Sequence, residues 1–311
     1  MGRFILKRVG YMLLTLWIVI TVTFFLMHSI PGDPLAHMAQ NLPPQIRDNY
    51  MDRYGLNDPV PVQYGRFMKN LITEGDLGES LRYPGRSVSG TIAQTAPVSG
   101  RIGFQALAVG ITLGITLGIT AALNRNKWPD YLVMFIAILG VTVPIFILAA
   151  LLQYVFSVKI PILPTTGWGE LKHTILPTIA MCFGSIATYA RYMRSNVLEI
   201  TNQDYILTAQ AKGVSRFNVI RKHIVRNAIL PAVTILGPQI AGIFTGSFII
   251  ERIFSIPGLG SYYITSINDR DYTMIIGTTI FYAILFIISK LVVDILYGVV
   301  DPRIRASREE K

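Results

Sequence analysis

Charge is scarce in this chain. Only 15% of its 311 residues are Asp, Glu, Lys or Arg, against about 25% in an ordinary soluble domain. The shortage is concentrated. Gly10–Ile30, Phe104–Leu123, Tyr131–Val158, Thr174–Ala190 and Ala232–Ile250 contain no charged residue, and Met274–Val300 contains only Lys290 and Asp294. A helix needs roughly 20 apolar residues to cross the hydrocarbon core of a bilayer. The pattern therefore predicts an all-α integral membrane protein with six transmembrane helices. Thr174–Ala190 is the shortest of the six, and Pro144 interrupts the third. Cysteine is almost missing as well. Cys182 stands alone, so no intrachain disulfide can form, and a small residue in a helix core is the simplest reading of it.

The motifs of catalysis are also missing. No G-x-x-x-x-G-K-[ST] occurs, so the chain lacks the usual ATP cradle. No H-E-x-x-H occurs, and His28, His37, His173 and His223 are scattered without ligand spacing. No nucleophile motif is recognisable. The sequence thus offers no catalytic residue and no metal site.

The net charge of +10 could suggest nucleic acid, but its placement argues for a membrane. If six helices alternate, one side collects Arg3, Lys7 and Arg8, then Arg125 and Lys127. It also collects Arg191, Arg194, Lys212, Arg216, Arg221, Lys222 and Arg226, and finally Arg303, Arg305, Arg308 and Lys311. On the other side, seven basic residues balance seven acidic ones in 31–101, and 251–273 is net acidic. The positive-inside rule then puts both termini in the cytoplasm. The opening MGRFILKR with its apolar run reads as an uncleaved anchor, because the run is span-length and no A-x-A-like site follows.

The loop 31–101 is too long to be a simple connector. It opens on PGDP, and Pro44–Tyr54 and Val62–Ile72 have helical spacing, the second with Tyr64, Phe67, Leu71 and Ile72 on one side. A small folded outer subdomain is expected. In the second span Gly110, Gly114 and Gly118 recur every four residues, the spacing at which helix backbones pack closely in lipid. A sliding contact is the alternative use. Pro144 is either a hinge or a static kink. Lys290 and Asp294 share a helix face; pairing lowers their insertion cost, and a proton relay is the alternative.

The most informative stretch is polar. Glu199–Pro231 reads EITNQDYILTAQAKGVSRFNVIRKHIVRNAILP, between two spans. Ser215 can cap a helix, and Pro231 should break it before the fifth span. Phe217, Ile220 and Ile224 should share one face, with Lys222 and Arg226 elsewhere. Thr208, Ala209 and Ala211 are small enough for close docking. Gly213 suits a left-handed turn between two helices. Anionic lipid is one surface for such a hairpin, and a partner protein is the other.

Asp204–Gly213, DYILTAQAKG, together with AILP at Ala228–Pro231, resembles the cytoplasmic loop of permease subunits of binding-protein-dependent ABC importers. That loop follows E-A-A, three residues, Gly, and later I-x-L-P. Leu207 stands in place of the glutamate and Ala228 in place of the isoleucine. Both departures resemble the peptide and nickel branch, whose version is similar to DYVRTARAKG, although this chain has Ile206, Leu207 and Gln210 where Val, Arg and Arg are usual. ARYMRSNVLE at Ala190–Glu199, GLNDPVPVQY and GDLGES in the outer loop, and ERIFSIPGLGSYYITSINDRDYTMIIG at Glu251–Gly277 point the same way. So does the closing VVDILYGVVDPRIR. The resemblance is to the first-type oligopeptide or dipeptide permease, the one with a large outer loop.

That resemblance implies a type I ABC importer permease fold and residue roles. Asp204, Tyr205, Thr208, Ala209, Ala211, Lys212, Gly213, Leu230 and Pro231 would form the ATPase-coupling loop. Glu251, Phe254, Pro257, Gly258, Gly260, Arg270 and Asp271 would form an outer-face or gate segment. The expected domains are the N-terminal tip and first span (1–30), the extracytoplasmic subdomain (31–101), the five-helix core (102–300, coupling loop 191–231) and the cytoplasmic tail (301–311). Implied partners are a second homologous permease, two ABC ATPase subunits that bind ATP and Mg, an extracytoplasmic solute-binding protein and a peptide. The chain itself would hold no cofactor, bind no nucleic acid and sit in the cytoplasmic (inner) membrane of a prokaryote. A nickel, dipeptide or glutathione cargo is the alternative within the branch, and an intramembrane enzyme or secondary transporter is the alternative outside it.

Overall fold

The computed structural model describes residues 2–30, 45, 49, 51, 52 and 54–300. The PGDP turn, most of the helix expected over 44–54 and the tail 301–311 lie outside the described residues. So does the side chain of Asp294, and with it the expected pairing to Lys290. Regular structure among the described residues is helical apart from one isolated antiparallel bridge, Glu79 to Ser87. Each of the six charge-poor stretches falls on helix. These are α1 (Gly2–Ser29), α3 (Val88–Leu123), the broken pair α4 (Trp128–Thr142) and α5 (Ile145–Gln153), α6 (Lys172–Thr201), α9 (Leu236–Ile253) and α11 (Tyr272–Val300). Between them stand α2 (Val60–Glu74), α7 (Asp204–Ala211), α8 (Arg226–Thr234) and α10 (Leu259–Asn268).

The chain divides into two units, 1–98 with 257–287, and 99–256 with 288–311. In the first, α2 lies on α1. Tyr64, Phe67, Met68 and Leu71 pack against Ile20, Phe24, Ile276 and Ile280. Tyr64 Oη and Thr21 Oγ1 are hydrogen-bonded at 2.6 Å, and the Phe24 ring meets those of Tyr64 and Phe67. Ile72, expected on this face, points to solvent instead. Positions 64, 67, 68 and 71 complete the i, i+3, i+4, i+7 stripe, and 72 falls a further 100° round the helix. Gly75 ends α2 in the left-handed conformation; its N–H donates to Leu71 O at 3.2 Å and the Asp76 N–H to Asn70 O at 3.4 Å.

Helix α3 begins 16 residues before the expected span and runs through Pro97. Its 36 residues reach roughly 54 Å, well beyond the hydrocarbon thickness. The early turns are regular because polar groups in them are satisfied locally. Thr91 and Thr95 donate to the carbonyls of Ser87 and Thr91.

The second unit is built round α6, which is contacted by α4, α5, α8 and α9. The glycine row of α3 is a packing device, as its spacing predicts. Gly110, Gly114 and Gly118 press against Cys182 through Met193 of α6. A Cβ at Gly118 would stand 2.6 Å from Ala190 O and from Met193 Cβ, so only glycine permits this approach. Pro144 does more than kink its helix. It starts α5 afresh, and the chain bends by 108° between the two helices. Proline lacks the N–H that would continue α4, and the extended backbone at Val143 (φ −81°, ψ 120°) turns the chain.

Candidate coupling hairpin and outer segment

The basic stretch forms a helical hairpin, divided where glycine was expected to divide it. Gly213 has φ +73°. Its N–H reaches Gln210 O at 2.9 Å, and the Val214 N–H reaches Ala209 O at 3.2 Å. No heavy atom lies within 4 Å of the place a Cβ would take. The requirement at Gly213 is thus conformational, and the space beside it is open.

The second arm departs from the sequence reading. It starts with a short turn at Arg216–Asn218, passes through a wide π-helical segment at Val219–Val225, and continues as α8. The buried face is Val219, Ile224, Ala228 and Ala232. Their spacing is five, four, four. A π segment has hydrogen bonds from i to i+5, so the apolar phase slips by one residue. Phe217, expected inside, is consequently 67% exposed. Ser215 sits at the N-cap but its side chain makes no cap hydrogen bond. Pro231 does not end the helix, which runs on to Thr234. Burial of Ala232 holds the next turn in place, and Asn196 Nδ2 donates to Ala228 O at 3.1 Å, just before the proline.

Helix α7 is amphipathic in the same sense. Ile206 and Ala209 are buried in a cluster with Tyr189, Met193 and Val197 of α6 and the inner face of the second arm. Ile206 alone contributes about 2 kcal/mol by burial. Asn227 Nδ2 donates to Tyr205 Oη at 3.2 Å and ties the arms together. The hairpin and α6 therefore share one core. Ala209, expected to dock, is part of that core, and Leu230 is half-buried. Asp204, Tyr205, Thr208, Ala211, Lys212, Gly213 and Pro231 are exposed, together with Leu207 at 60%. Leu207 is thus an apolar side chain set amid exposed polar groups, at the position where the family's glutamate was expected.

A second feature was missed from sequence. Asp130, in the first turn of α4, is 3% exposed and is gripped in bidentate fashion by Arg194 of α6. Arg194 Nε lies 2.5 Å from Oδ1, and Nη2 2.8 Å from Oδ2. The Asn126 N–H adds a third bond at 3.0 Å, from a residue at φ +61°. Arg194 lies seven residues before the end of α6. This pair clamps α4 to the part of α6 that leads into the hairpin. The one sequence signal was an isolated carboxylate beside a basic loop and an apolar run.

The outer segment separates into two behaviours. Glu251 and Phe254 are buried in the second unit. There Gly167 N–H donates to Phe254 O at 3.0 Å, and Gln153 Nε2 donates to Ile253 O at 3.2 Å. In the first unit Gly258 and Gly260 are buried while Pro257 and Arg270 are exposed. Asp271 is a turn organiser. Its carboxylate accepts the hydroxyl of Ser80, the Leu81 N–H at 3.1 Å and the Met274 N–H at 3.2 Å.

Long apolar helices, with an exposed basic hairpin that shares a core with α6, make a multi-pass membrane protein. The comparisons make this specific. Residues 114–306 match the family described as "Binding-protein-dependent transport system inner membrane component". Residues 1–101 match its N-terminal counterpart. The chain belongs to this family. It is 42% identical to the dipeptide transport system permease protein DppB of Bacillus subtilis, over 99% of this chain and 100% of that protein. It is 40% identical to the oligopeptide transport system permease protein OppB of Haemophilus influenzae, over 98% and 100%.

Among solved structures, an amino acid ABC transporter matches 67% of this chain and 94% of its own, with TM-score 0.54 and 15% identity. The MetNI methionine ABC transporter in inward-facing conformations matches 68% and 96%, with TM-score 0.55 and 16% identity. These likenesses establish the fold, which is that of type I ABC importer permeases, in an all-α integral membrane protein.

Proposed function

We propose that this chain forms part of the translocation pathway of an ATP-driven peptide importer in a prokaryotic inner membrane, with both termini cytoplasmic. The relatives named for dipeptide and oligopeptide transport match it end to end, which supports peptide as the cargo. The observation that carries the mechanism is the shared core of the hairpin and α6. A push on the exposed face of α7 is transmitted to α6 because Ile206, Ala209, Met193 and Val197 are buried in one core.

Two ABC ATPase subunits, which bind ATP and Mg, would grip this hairpin and that of a second, homologous permease. A solute-binding protein would deliver peptide to the outer face, and the Glu251–Asp271 segment would act as the outer gate. ATP binding closes the ATPases, the hairpins move, and the helices rock from inward-open to outward-open. The chain itself performs no covalent step and holds no cofactor.

The test is uptake by the reconstituted complex in vesicles. Gly213→Asp places a charge on the exposed elbow and is expected to leave ATP hydrolysis running while peptide uptake falls at least tenfold. Uptake at the wild-type rate would reject the coupling role. Labelled nickel entering in place of labelled peptide would reject the cargo.

A further inference from the structure

A cavity of about 460 Å³ lies in the first unit, between the Tyr83–Arg86 turn and the first turns of α3. The volume is within the roughly 300–1,000 Å³ typical of small-molecule sites. Its walls include Thr91, Gln94 and Thr95 on the helix side and Tyr262 on α10.

The turn is rigid. Pro84 and Gly85, at φ +75°, occupy the positions a type II turn reserves for proline and glycine, and the Arg86 N–H donates to Tyr83 O at 3.1 Å. Ser80 N–H donates to Arg86 O at 2.9 Å. Ser80 Oγ accepts the Arg82 and Tyr83 N–H groups at 3.2 and 2.9 Å while donating to Asp271. The turn therefore fixes the backbone of Arg86, and its exposed side chain lies over two rings. Its guanidinium carbon stands 4.8 Å from the centre of the Tyr83 ring and 5.6 Å from that of Tyr262, distances at which ring and cation attract. Burial, and after it the bond to Asp269, holds the Tyr83 phenol above its usual ionisation range. Arg86 makes no ion pair among the described residues.

The other walls suit an amide backbone. The Gly90 and Thr91 N–H groups are already taken by Ser87, which leaves Arg86 as the anion-binding group. Thr91 and Thr95 spend their hydroxyl protons on carbonyls four residues back, so the hydroxyl oxygens can only accept. Gln94 is exposed and can both donate and accept. A guanidinium lying over two rings, with acceptors for N–H groups beside it, suits the carboxylate end of a short peptide.

We propose that this cavity is a subsite for the C-terminal carboxylate of the transported peptide, with Arg86 as the carboxylate ligand and Gln94, Thr91 and Thr95 facing the adjoining amide. The proposal rests on the peptide-importer reading. It adds an entry site on the face which that reading places outside the cell, where a peptide would be held by its invariant end and its side chains left unread.

The test is equilibrium binding of labelled trialanine to the whole importer complex in nanodiscs, without the solute-binding protein, competed by trialanine and by trialanine amide. Wild-type complex is expected to prefer the free acid about tenfold, the equivalent of ~1.4 kcal/mol. Arg86→Gln should abolish that preference by weakening the acid alone, and Arg86→Lys should retain part of it, since one point charge replaces a bidentate fork. Arg86 is exposed, so both variants should assemble. An acid-to-amide ratio unchanged by Arg86→Gln would overturn the subsite. So would a variant that binds both peptides normally but, in a separate assay with the solute-binding protein added, has lost affinity for it, which would make Arg86 a docking residue. Peptide uptake by the wild-type complex, measured in parallel, separates this failure from failure of the importer reading. A complex that imports peptide yet ignores the carboxylate sinks only the subsite; one that neither binds nor imports peptide sinks both.

Discussion

At the scale of single residues, one glycine of the hairpin and one ion pair beside it are held by different physics. Gly213 is held by its backbone, with open space where a side chain would go. Gly213→Ala should therefore cost only about 1 kcal/mol of stability. Asparagine tolerates the left-handed region better than alanine. If Gly213→Asn still slows uptake, the fault lies in what the added side chain meets on a partner. Asp130 and Arg194 are held by each other. Asp130→Asn leaves a partly exposed guanidinium facing a neutral amide, and should cost about 2 kcal/mol, less than breaking a fully buried pair. Thermal unfolding of the purified protein in detergent checks this. Adding Arg194→Gln should recover part of the loss, because the second change removes the uncompensated charge. A double variant as unstable as the sum of the two singles would show that the groups act independently.

At the scale of elements, the α3–α6 contact was legible and the α7–α8 phase was not. Glycines four residues apart in an apolar run have few uses other than close approach, and the row from Gly110 to Gly118 is so used. Gly118→Leu must push Ala190 and Met193 away, and should lower stability by about 2 kcal/mol through overpacking. An unfolding midpoint equal to wild type would mean the helices can separate freely. The second arm was misread for a definite reason. Helical wheels assume 3.6 residues per turn, and Val219–Val225 is wound more widely. One slipped residue was enough to place Phe217 outside and Val219 inside. Pro231 was misread because proline's local cost was weighed without the packing of Ala232. The Asp130–Arg194 clamp was invisible for another reason. Its partners are 64 residues apart, and no periodicity within one element encodes a bond between two.

At the scale of the whole molecule, the membrane class and the positions of the long helices follow from where charge is missing, because no other arrangement hides so much apolar surface. The expected orientation rests on where charge is present, and it can be tested directly. The exposed hairpin carries Lys222, and α2 carries Asn70. The reading that puts both termini in the cytoplasm puts these residues on opposite sides. Cys182 is buried, so Cys182→Ser should give a folded background free of reactive thiols. In that background, Asn70→Cys should react with an impermeant maleimide added to intact cells, whereas Lys222→Cys should react only after the membrane is opened. The reverse labelling would invert the protein, and with it the assignment of the hairpin to the ATPases and of the Arg86 cavity to the incoming peptide. Labelling of both sites from outside would mean that they share a side, and the alternation of six helices would then be wrong. The cations decide among these outcomes. Arg191, Arg194, Lys212, Arg216, Arg221, Lys222 and Arg226 would all have to cross the bilayer for the inverted topology to form, and short basic segments resist that passage. The expected result is therefore single-sided labelling at each position, with the hairpin facing the compartment that supplies ATP.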